Sequence, residues 1–156
     1  MNLALVGVER NINSAMGNYS KDFMPKVTPV SVGLIINQKK EILIASRISA
    51  SLLPHSSTLW EFPGGKIEPG ETAYQALCRE LKEEVNISVT KAIPFNEIQH
   101  IYAENQAVLL HFFSVLQWSG DATGLEKQEL KWILLKDLHR WNFPEANREI
   151  IERLQR

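Results

Sequence analysis

One stretch organises this chain: Gly64-Gly65-Lys66-Ile67-Glu68-Pro69-Gly70-Glu71, followed by residues 72–87. Its second half has the features of a helix. Thr72 and Gln75 have the spacing of a capping box, and Asn86 suits the left-handed residue that ends many helices. The apolar residues between them follow helical spacing and are Ala73, Ala76, Leu77, Leu81 and Val85. We therefore predict a glycine-rich loop that leads into a helix ending near Asn86.

Three glutamates of this helix, Glu80, Glu83 and Glu84, stand at i, i+3 and i+4 and therefore project from one face. The acidic face lies beside the apolar face, so we expect it to be partly buried. Carboxylates this close repel one another, and a divalent cation would reverse that interaction. Oxygen ligands suit Mg²⁺ or Mn²⁺. The helix alone leaves a second interpretation open, that of an ordinary charged surface helix.

The residues around these glutamates resemble the Nudix box, the loop–helix–loop signature of hydrolases that act on nucleoside-diphosphate-linked compounds. Gly65, Glu71 and the run Arg79-Glu80-Leu81-Lys82-Glu83-Glu84-Val85-Asn86-Ile87 match its spacing. The chain departs from the pattern at Asn86, where the family usually has Gly. Because Asn also tolerates the left-handed conformation, this departure is mild. All other defining positions match, so the resemblance is highly specific.

Composition limits the kind of ligand. The 156 residues suffice for one domain with a substantial core. A net charge of −1 argues against a broad face for long nucleic acid, so we expect a small nucleotide. The single cysteine, Cys78, excludes a disulfide within the chain, and no stretch approaches the roughly 18 apolar residues of a membrane span. We expect a cytoplasmic protein with no membrane partner, and we favour a monomer.

The rest of the chain alternates strands and helices. Residues 1–26 show no apolar period, so we treat them as a leader of unassigned role before a Nudix hydrolase domain at 27–156. A turn at 37–40 is predicted to join strands at 30–36 and 41–46 in a hairpin. Further strands are predicted at 92–102, 107–118 and 130–135, with a polar loop at 48–58, a helical turn at 136–141 and a last helix from Pro144. This order predicts an α+β fold, an α/β/α sandwich with a mixed sheet between helices, which is also the architecture of the Nudix fold.

Within the Nudix family, the chain is most similar to the MutT group, which hydrolyses 8-oxo-dGTP to the monophosphate and pyrophosphate. The similarity rests on residues 59–68, on Trp132 and on Phe143-Pro144-Glu145-Ala146-Asn147. It implies an enzyme that requires Mg²⁺, with Mn²⁺ as an alternative ion. Such an enzyme removes oxidised nucleotides from the pool and so prevents mutations.

The resemblance also implies the residues of the catalytic centre. The expected metal-binding groups are the Gly64 carbonyl and the carboxylates of Glu80, Glu83, Glu84 and Glu126, with Glu129 as a weaker candidate for the last position. Glu80 is the preferred general base, a role that Glu126 could share. Arg79 completes the catalytic set, and we expect it to hold Glu71 or another carboxylate of the box, because Arg pairs bidentately with carboxylates.

The candidates for substrate contacts are Arg47, Phe62, Gly65, Lys66 and Asn147. Arg47 stands at a strand end near the proposed site and suits a phosphate. Asn147 suits the base, since a carboxamide offers one donor and one acceptor, as does the edge of a guanine oxidised at C8. Without the resemblance, Asn147 would be interpreted as a residue that caps the last helix.

Two alternative functions remain. The first is another Nudix substrate, such as an unoxidised nucleoside triphosphate, a nucleotide sugar or a dinucleoside polyphosphate. The second is a non-catalytic Nudix module that senses a nucleotide or a protein. The complete set of Glu80, Glu83, Glu84 and Arg79 argues against the second, because a pure binding module does not need it.

Overall fold

The computed structural model describes residues 25–47 and 58–156. The expected leader (apart from its last two residues) and all but the last residue of the polar loop predicted at 48–58 lie outside this range. The described elements are β1 (Lys26–Ile35), β2 (Glu41–Ser46), β3 (Trp60–Glu61), β4 (Gly64–Lys66), α1 (Ala73–Val85), β5 (Ser88–Ala103), β6 (Gln106–Ser119), β7 (Leu130–Leu134), 3₁₀ turns at Leu135–Arg140 and Glu145–Asn147, and α2 (Arg148–Leu154). None of the helices in these two ranges is long and apolar enough to cross a membrane.

The strands form two sheets. A four-stranded sheet has the order β4-β1-β6-β5, and a three-stranded sheet has the order β3-β2-β7. In the larger sheet β1 runs parallel to β6, whereas the other pairs are antiparallel, so the sheet is mixed. The predicted α+β fold with a mixed sheet is therefore confirmed, although the second sheet was not predicted.

The predicted hairpin between β1 and β2 explains why the second sheet was missed. The turn lies where expected, since the Lys40 amide donates to the Asn37 carbonyl (3.1 Å). Beyond it, only the bridge between Ile36 and Ile42 joins the two strands. β6 pairs with one edge of β1 along its whole length, and β4 pairs with the other edge at Val30–Val32. β2 separates from β1 after the bridge and pairs instead with β3 and β7 in the second sheet.

The two helices cover opposite faces of the larger sheet. Neighbouring residues of a strand point to opposite faces, and in β6 Phe113 belongs to the cluster under α1, whereas Phe112 belongs to the cluster under α2. Leu81 of α1 and Ile150 of α2 are both fully buried in these clusters. The sandwich architecture therefore places the end of α1, with its glutamates, beside the glycine-rich strand β4.

Three element limits differ from the predictions by three residues or more. β1 begins at Lys26 rather than at residue 30, because residues 26–29 already pair with β6. β5 begins at Ser88 and pairs with β6 from there, although its first residues are mainly polar; the ladder to Ser119 and Trp118 extends it beyond the apolar pattern. The last helix does not begin directly after Pro144. A 3₁₀ turn at Glu145–Asn147 comes first, and α2 starts at Arg148.

Candidate active site

Two glycines bring the backbone of β4 against the carboxylates of α1. β4 pairs with β1 so closely that a Cβ on Gly64 would collide with the carbonyl oxygen of Ser31. A Cβ on Gly65 would collide with the carboxylate of Glu80. The amide of Gly64 also donates to Oε2 of Glu84 (3.1 Å). Glycine is therefore required at position 64, where the β1 backbone leaves no room for a side chain, whereas a side chain at position 65 would displace the carboxylate of Glu80.

Both ends of α1 are held as the sequence predicts. The Thr72 hydroxyl accepts from the Gln75 amide (3.1 Å), and the Gln75 side chain accepts from the Thr72 amide (2.9 Å). Asn86 adopts the left-handed conformation with φ 60°, and its amide donates to Leu81. These contacts fix the rotation of the helix, so that Glu80 and Glu84 turn toward β4.

Arg79 joins the loop to the helix. Its Nε and Nη2 donate to the two oxygens of Glu71 (2.8 Å each), which is the bidentate pair expected from the sequence. Its Nη1 donates to Glu80 (2.8 Å), and Nη2 also donates to the carbonyl of Lys66 (3.0 Å). The guanidinium holds the pKa of Glu71 down at about 2. Arg79 therefore orients the carboxylate of Glu80 rather than leaving it free in solvent.

Glu84 is the centre of an acidic cluster. Its side chain is buried, with the residue only 7% exposed, and this burial raises its pKa to about 8. The hydrogen bond from Gly64 opposes the shift, while the nearby carboxylates of Glu61, Glu126 and Glu80 add to it. Three other carboxylates therefore lie near enough to Glu84 to raise its pKa, and two of them, Glu80 and Glu126, are candidates named in the sequence analysis.

Glu61 is the member of this cluster that the sequence analysis missed. Burial raises its pKa, Arg47 lowers it, and Glu126 raises it again. The distance from Arg47 Nε to Glu61 Oε2 is 3.8 Å, so Glu61 also holds the guanidinium of Arg47 at the site. One signal was available in the sequence: Glu61 stands between the two apolar aromatics Trp60 and Phe62, directly before the glycine-rich loop.

The other residues predicted for the site lie outside the acidic cluster around Glu84. The Glu83 side chain is 59% exposed and contacts Arg79 at 3.4 Å. The Lys66 side chain is exposed, whereas its carbonyl is used by Arg79. Phe62 is 4% exposed and packs against Phe143, with ring centroids 4.9 Å apart. Glu129, the weaker metal candidate, instead forms an ion pair with Lys131 (3.1 Å).

The carboxylates around Glu84 provide oxygen donors for a divalent cation. Among the residues that the structure describes, no three Asp, Glu, His or Cys side chains stand close enough to form a ligand set as they are. Glu80 faces Arg79, and Glu84 faces the Gly64 amide. The donors are nevertheless all oxygens, and a buried carboxyl with three carboxylates around it is an environment that a hard cation would stabilise. The donor set therefore fits Mg²⁺ or Mn²⁺ by its chemistry.

Asn147 does not cap the last helix. It is 8% exposed, and although it stands at the N-cap position of α2, its side chain makes no capping hydrogen bond. The segment before it is tied to β3, because the Trp60 amide donates to the Asn142 carbonyl (2.8 Å) and the Trp60 and Trp141 rings pack edge to face at 5.2 Å. The segment that leads to Asn147 is thus attached to the strand before the glycine-rich loop.

The burial of Glu84 has a consequence for stability without metal. We expect the free energy of unfolding of the metal-free protein to fall as the pH rises from about 4.5 to about 8. The folded protein keeps the Glu84 proton up to a pKa of about 8, whereas the unfolded chain releases it near 4.5. The stabilisation is therefore complete at low pH and is lost through pH 8, by roughly 2–4 kcal/mol.

Chemical denaturation at pH 5 and pH 8.5 measures this difference. Glu84→Gln has no proton to lose at this position and should show a smaller fall, whereas Glu152→Gln, an exposed change on α2, should behave like the wild type. Equal pH dependence in all three proteins would show that Glu84 ionises as it does in water.

The chain was compared with known proteins. The model of the NUDIX domain matches residues 27–154. An 8-oxo-dGTP diphosphatase of Escherichia coli is 37% identical over 84% of this chain and 98% of its own length. A CTP pyrophosphohydrolase of the same organism is 37% identical over 65% of this chain and 72% of its own length.

A solved structure gives the same result. A MutT structure from a study of Aliivibrio salmonicida and Vibrio cholerae superposes with a TM-score of 0.69 at 34% identity, covering 83% of this chain and 98% of that one. The family model, the identity of these relatives and the fold agree with the loop–helix–loop motif described above. The chain belongs to the Nudix hydrolase family.

Proposed function

We propose that this protein is an Mg²⁺-dependent pyrophosphohydrolase of the MutT kind, which converts 8-oxo-dGTP to 8-oxo-dGMP and pyrophosphate in the nucleotide pool of the cytoplasm. The observation that carries this proposal is the contact of Glu80 and the buried Glu84 with the glycine-rich loop, at Gly65 and at the Gly64 amide, with Glu61 and Glu126 near enough to raise the pKa of Glu84. The similarity to an 8-oxo-dGTP diphosphatase over nearly the whole of that protein supports the choice of substrate.

In this proposal the metal is held by the carboxylates of Glu80, Glu83, Glu84 and Glu126 and by the carbonyl of Gly64. Mg²⁺ bound there would neutralise phosphate charge and lower the pKa of a bound water. Glu84 must release its proton to serve as a ligand, so metal binding should release protons below pH 8.

Glu80 is proposed as the general base that accepts the proton of the attacking water, with Glu126 as the alternative. The guanidinium of Arg79 binds Oε1 of Glu80 (2.8 Å) and leaves Oε2 available. Arg79 itself is anchored by Glu71, so that it keeps Glu80 in place during the reaction. Its proposed role is to position the base.

The substrate contacts follow from the positions of five residues. Arg47, held by Glu61, would bind the phosphate chain, and the exposed ammonium of Lys66 would assist. Gly65 has no side chain, so the phosphates could approach its backbone closely. A Cβ at this position would also meet the carboxylate of Glu80. Phe62 and Asn147 would bind the base, the first by its ring and the second by its carboxamide.

The position of bond cleavage gives a separate prediction. The MutT resemblance implies that water attacks the β-phosphorus, so hydrolysis in ¹⁸O-labelled water should place the label in pyrophosphate. Mass spectrometry of both products measures this. Label in the monophosphate would mean attack at the α-phosphorus and would require a different placement of the metal and the base.

A panel of nucleotides tests the proposed function. Pyrophosphate release with Mg²⁺ should be fastest, by kcat/KM, for 8-oxo-dGTP among dGTP, dATP, CTP, a nucleotide sugar and a dinucleoside polyphosphate. CTP belongs in the panel because a CTP pyrophosphohydrolase is also 37% identical to part of this chain. A preference for any other compound would overturn the substrate, and binding of nucleotide without hydrolysis would overturn the enzymatic role.

A further inference from the structure

The loop between β6 and β7 is fastened to the end of α1 that carries Glu84. The last four carbonyls of a helix have no partner within the helix. Here the carbonyl of Val85 accepts from the Thr123 amide (2.9 Å), and the carbonyl of Glu84 accepts from the Leu125 amide (3.0 Å). The loop therefore lies against the helix end, and it brings Glu126 there.

Gln128 bridges the two acidic residues through their backbones. Its Nε2 donates to the carbonyl oxygen of Glu84 (2.9 Å), and its Oε1 accepts from the amide of Glu126 (2.9 Å). A carbonyl can only accept and an amide N–H can only donate, so the orientation of the carboxamide is determined by its partners. The residue is 8% exposed, and its bond to Glu84 is buried. Both ends of the side chain are therefore engaged, away from solvent.

We propose that Gln128 is a positioning residue of the metal site, which sets the separation between Glu84 and Glu126. This inference rests on the proposed function, in which both carboxylates hold the metal. The backbone turns sharply after Glu126, since Lys127 has a positive φ of 65°, and the Gln128 side chain closes this turn. Without Gln128, the amide of Glu126 loses its acceptor, and the turn is free to shift relative to the helix.

A purely structural role of Gln128 would give a different experimental result. Leu125 and Thr123 still attach the loop to the helix when Gln128 is replaced. If Gln128 only satisfied the helix end, its loss would lower the free energy of unfolding and leave metal affinity unchanged. If it positions Glu126, metal affinity falls because the two carboxylates no longer stand at the right separation. Residues that orient metal ligands typically affect metal affinity by about 10–100-fold.

The test uses Mn²⁺ as the probe, titrated without nucleotide and followed by electron paramagnetic resonance of the free ion. Gln128→Met keeps the length of the side chain and removes both hydrogen bonds. We expect its Mn²⁺ dissociation constant to rise about tenfold or more. Turnover should recover toward the wild-type kcat when Mg²⁺ is raised to saturation. If Gln128→Met does not fold, Gln128→Asn, which is too short to reach both partners, takes its place.

Asn86→Gly is the matched control. It removes two hydrogen bonds at the same junction, from Asn86 Nδ2 to the Asp121 carbonyl (3.3 Å) and from Lys82 Nζ to Asn86 Oδ1 (3.3 Å), and Gly keeps the left-handed conformation. Mn²⁺ affinity should be unchanged in this variant. An equal loss of affinity in Asn86→Gly and Gln128→Met would show that any loosening of the junction suffices, and it would overturn the specific role of Gln128.

Glu126→Gln separates this inference from the proposed function. Glu126→Gln alone should weaken Mn²⁺ binding, and adding Gln128→Met to it should cause little further loss, because both changes act through the same ligand. If Glu126→Gln leaves the affinity unchanged, the proposed ligand set is wrong. If Glu126→Gln weakens binding and Gln128→Met does not, the ligand set stands and the role of Gln128 is overturned.

Discussion

Glu84→Gln and Glu83→Gln should each lower kcat by about three orders of magnitude while leaving the fold intact. Each change removes one charge from the ligands of the proposed metal, and a bound metal supplies several kcal/mol of transition-state stabilisation. The structure supports a metal-binding role more strongly for Glu84 than for Glu83, since Glu84 is buried and has three other carboxylates near it. The Gln side chain can still accept the hydrogen bond from Gly64, so the contact between loop and helix survives.

Steady-state hydrolysis of 8-oxo-dGTP measures the loss, and thermal unfolding provides the second measurement. Without Mg²⁺ at neutral pH, Glu83→Gln should unfold at the wild-type temperature or slightly above it, because repulsion among carboxylates is relieved. Glu84→Gln should unfold above the wild-type temperature, because the folded variant no longer has to keep a buried carboxyl protonated. With Mg²⁺, only the wild type should gain stability appreciably, since binding to the folded state raises it. Glu152→Gln, exposed on α2, is the control and should retain both activity and the Mg²⁺ effect. Near-normal turnover in both active-site variants would show that the metal site lies elsewhere.

Asn147→Ala should abolish most of the preference for the oxidised base. Oxidation at C8 converts N7 of guanine from an acceptor to a donor, so the edge presents a donor beside the O6 acceptor. A carboxamide matches that edge with two hydrogen bonds, and against ordinary guanine its carbonyl would face the N7 lone pair. The kcat/KM for 8-oxo-dGTP should therefore fall by a factor that corresponds to a loss of about 1–3 kcal/mol or more in transition-state stabilisation. The kcat/KM for dGTP should change much less.

The structure strengthens this prediction because it removes the main competing role of Asn147. The side chain is buried at the N-cap position of α2 yet makes no capping hydrogen bond. Asn142→Ala is the matched control, an exposed asparagine whose backbone carbonyl, rather than its side chain, binds Trp60. It should leave the ratio of the two substrates unchanged. An equal fall for both substrates in Asn147→Ala would mean that Asn147 supports the fold and the base is recognised by other residues.

The sequence by itself determined the features that depend on contacts within one turn of the chain. The limits of α1, its capping box and the left-handed Asn86 agree with the structure, because each cap involves residues three to five positions apart. The common face of the glutamates follows from helical periodicity alone. The pairing of Arg79 with Glu71 spans eight residues and was predictable only because the family motif relates the two positions.

Tertiary structure alone decided which of these groups meet. The buried carboxylate of Glu84 accepts from the Gly64 amide, twenty residues away in the chain, and the bond from Gln128 to the Glu84 carbonyl spans 44 residues. Neither distance has a periodic signature in the sequence. Glu61 joins the cluster because β3 pairs with β2 in a second sheet, whose third strand, β7, comes from a distant part of the chain. Strand pairing between distant segments depends on which edges remain free after the other strands have paired, a property of the whole fold rather than of any local stretch.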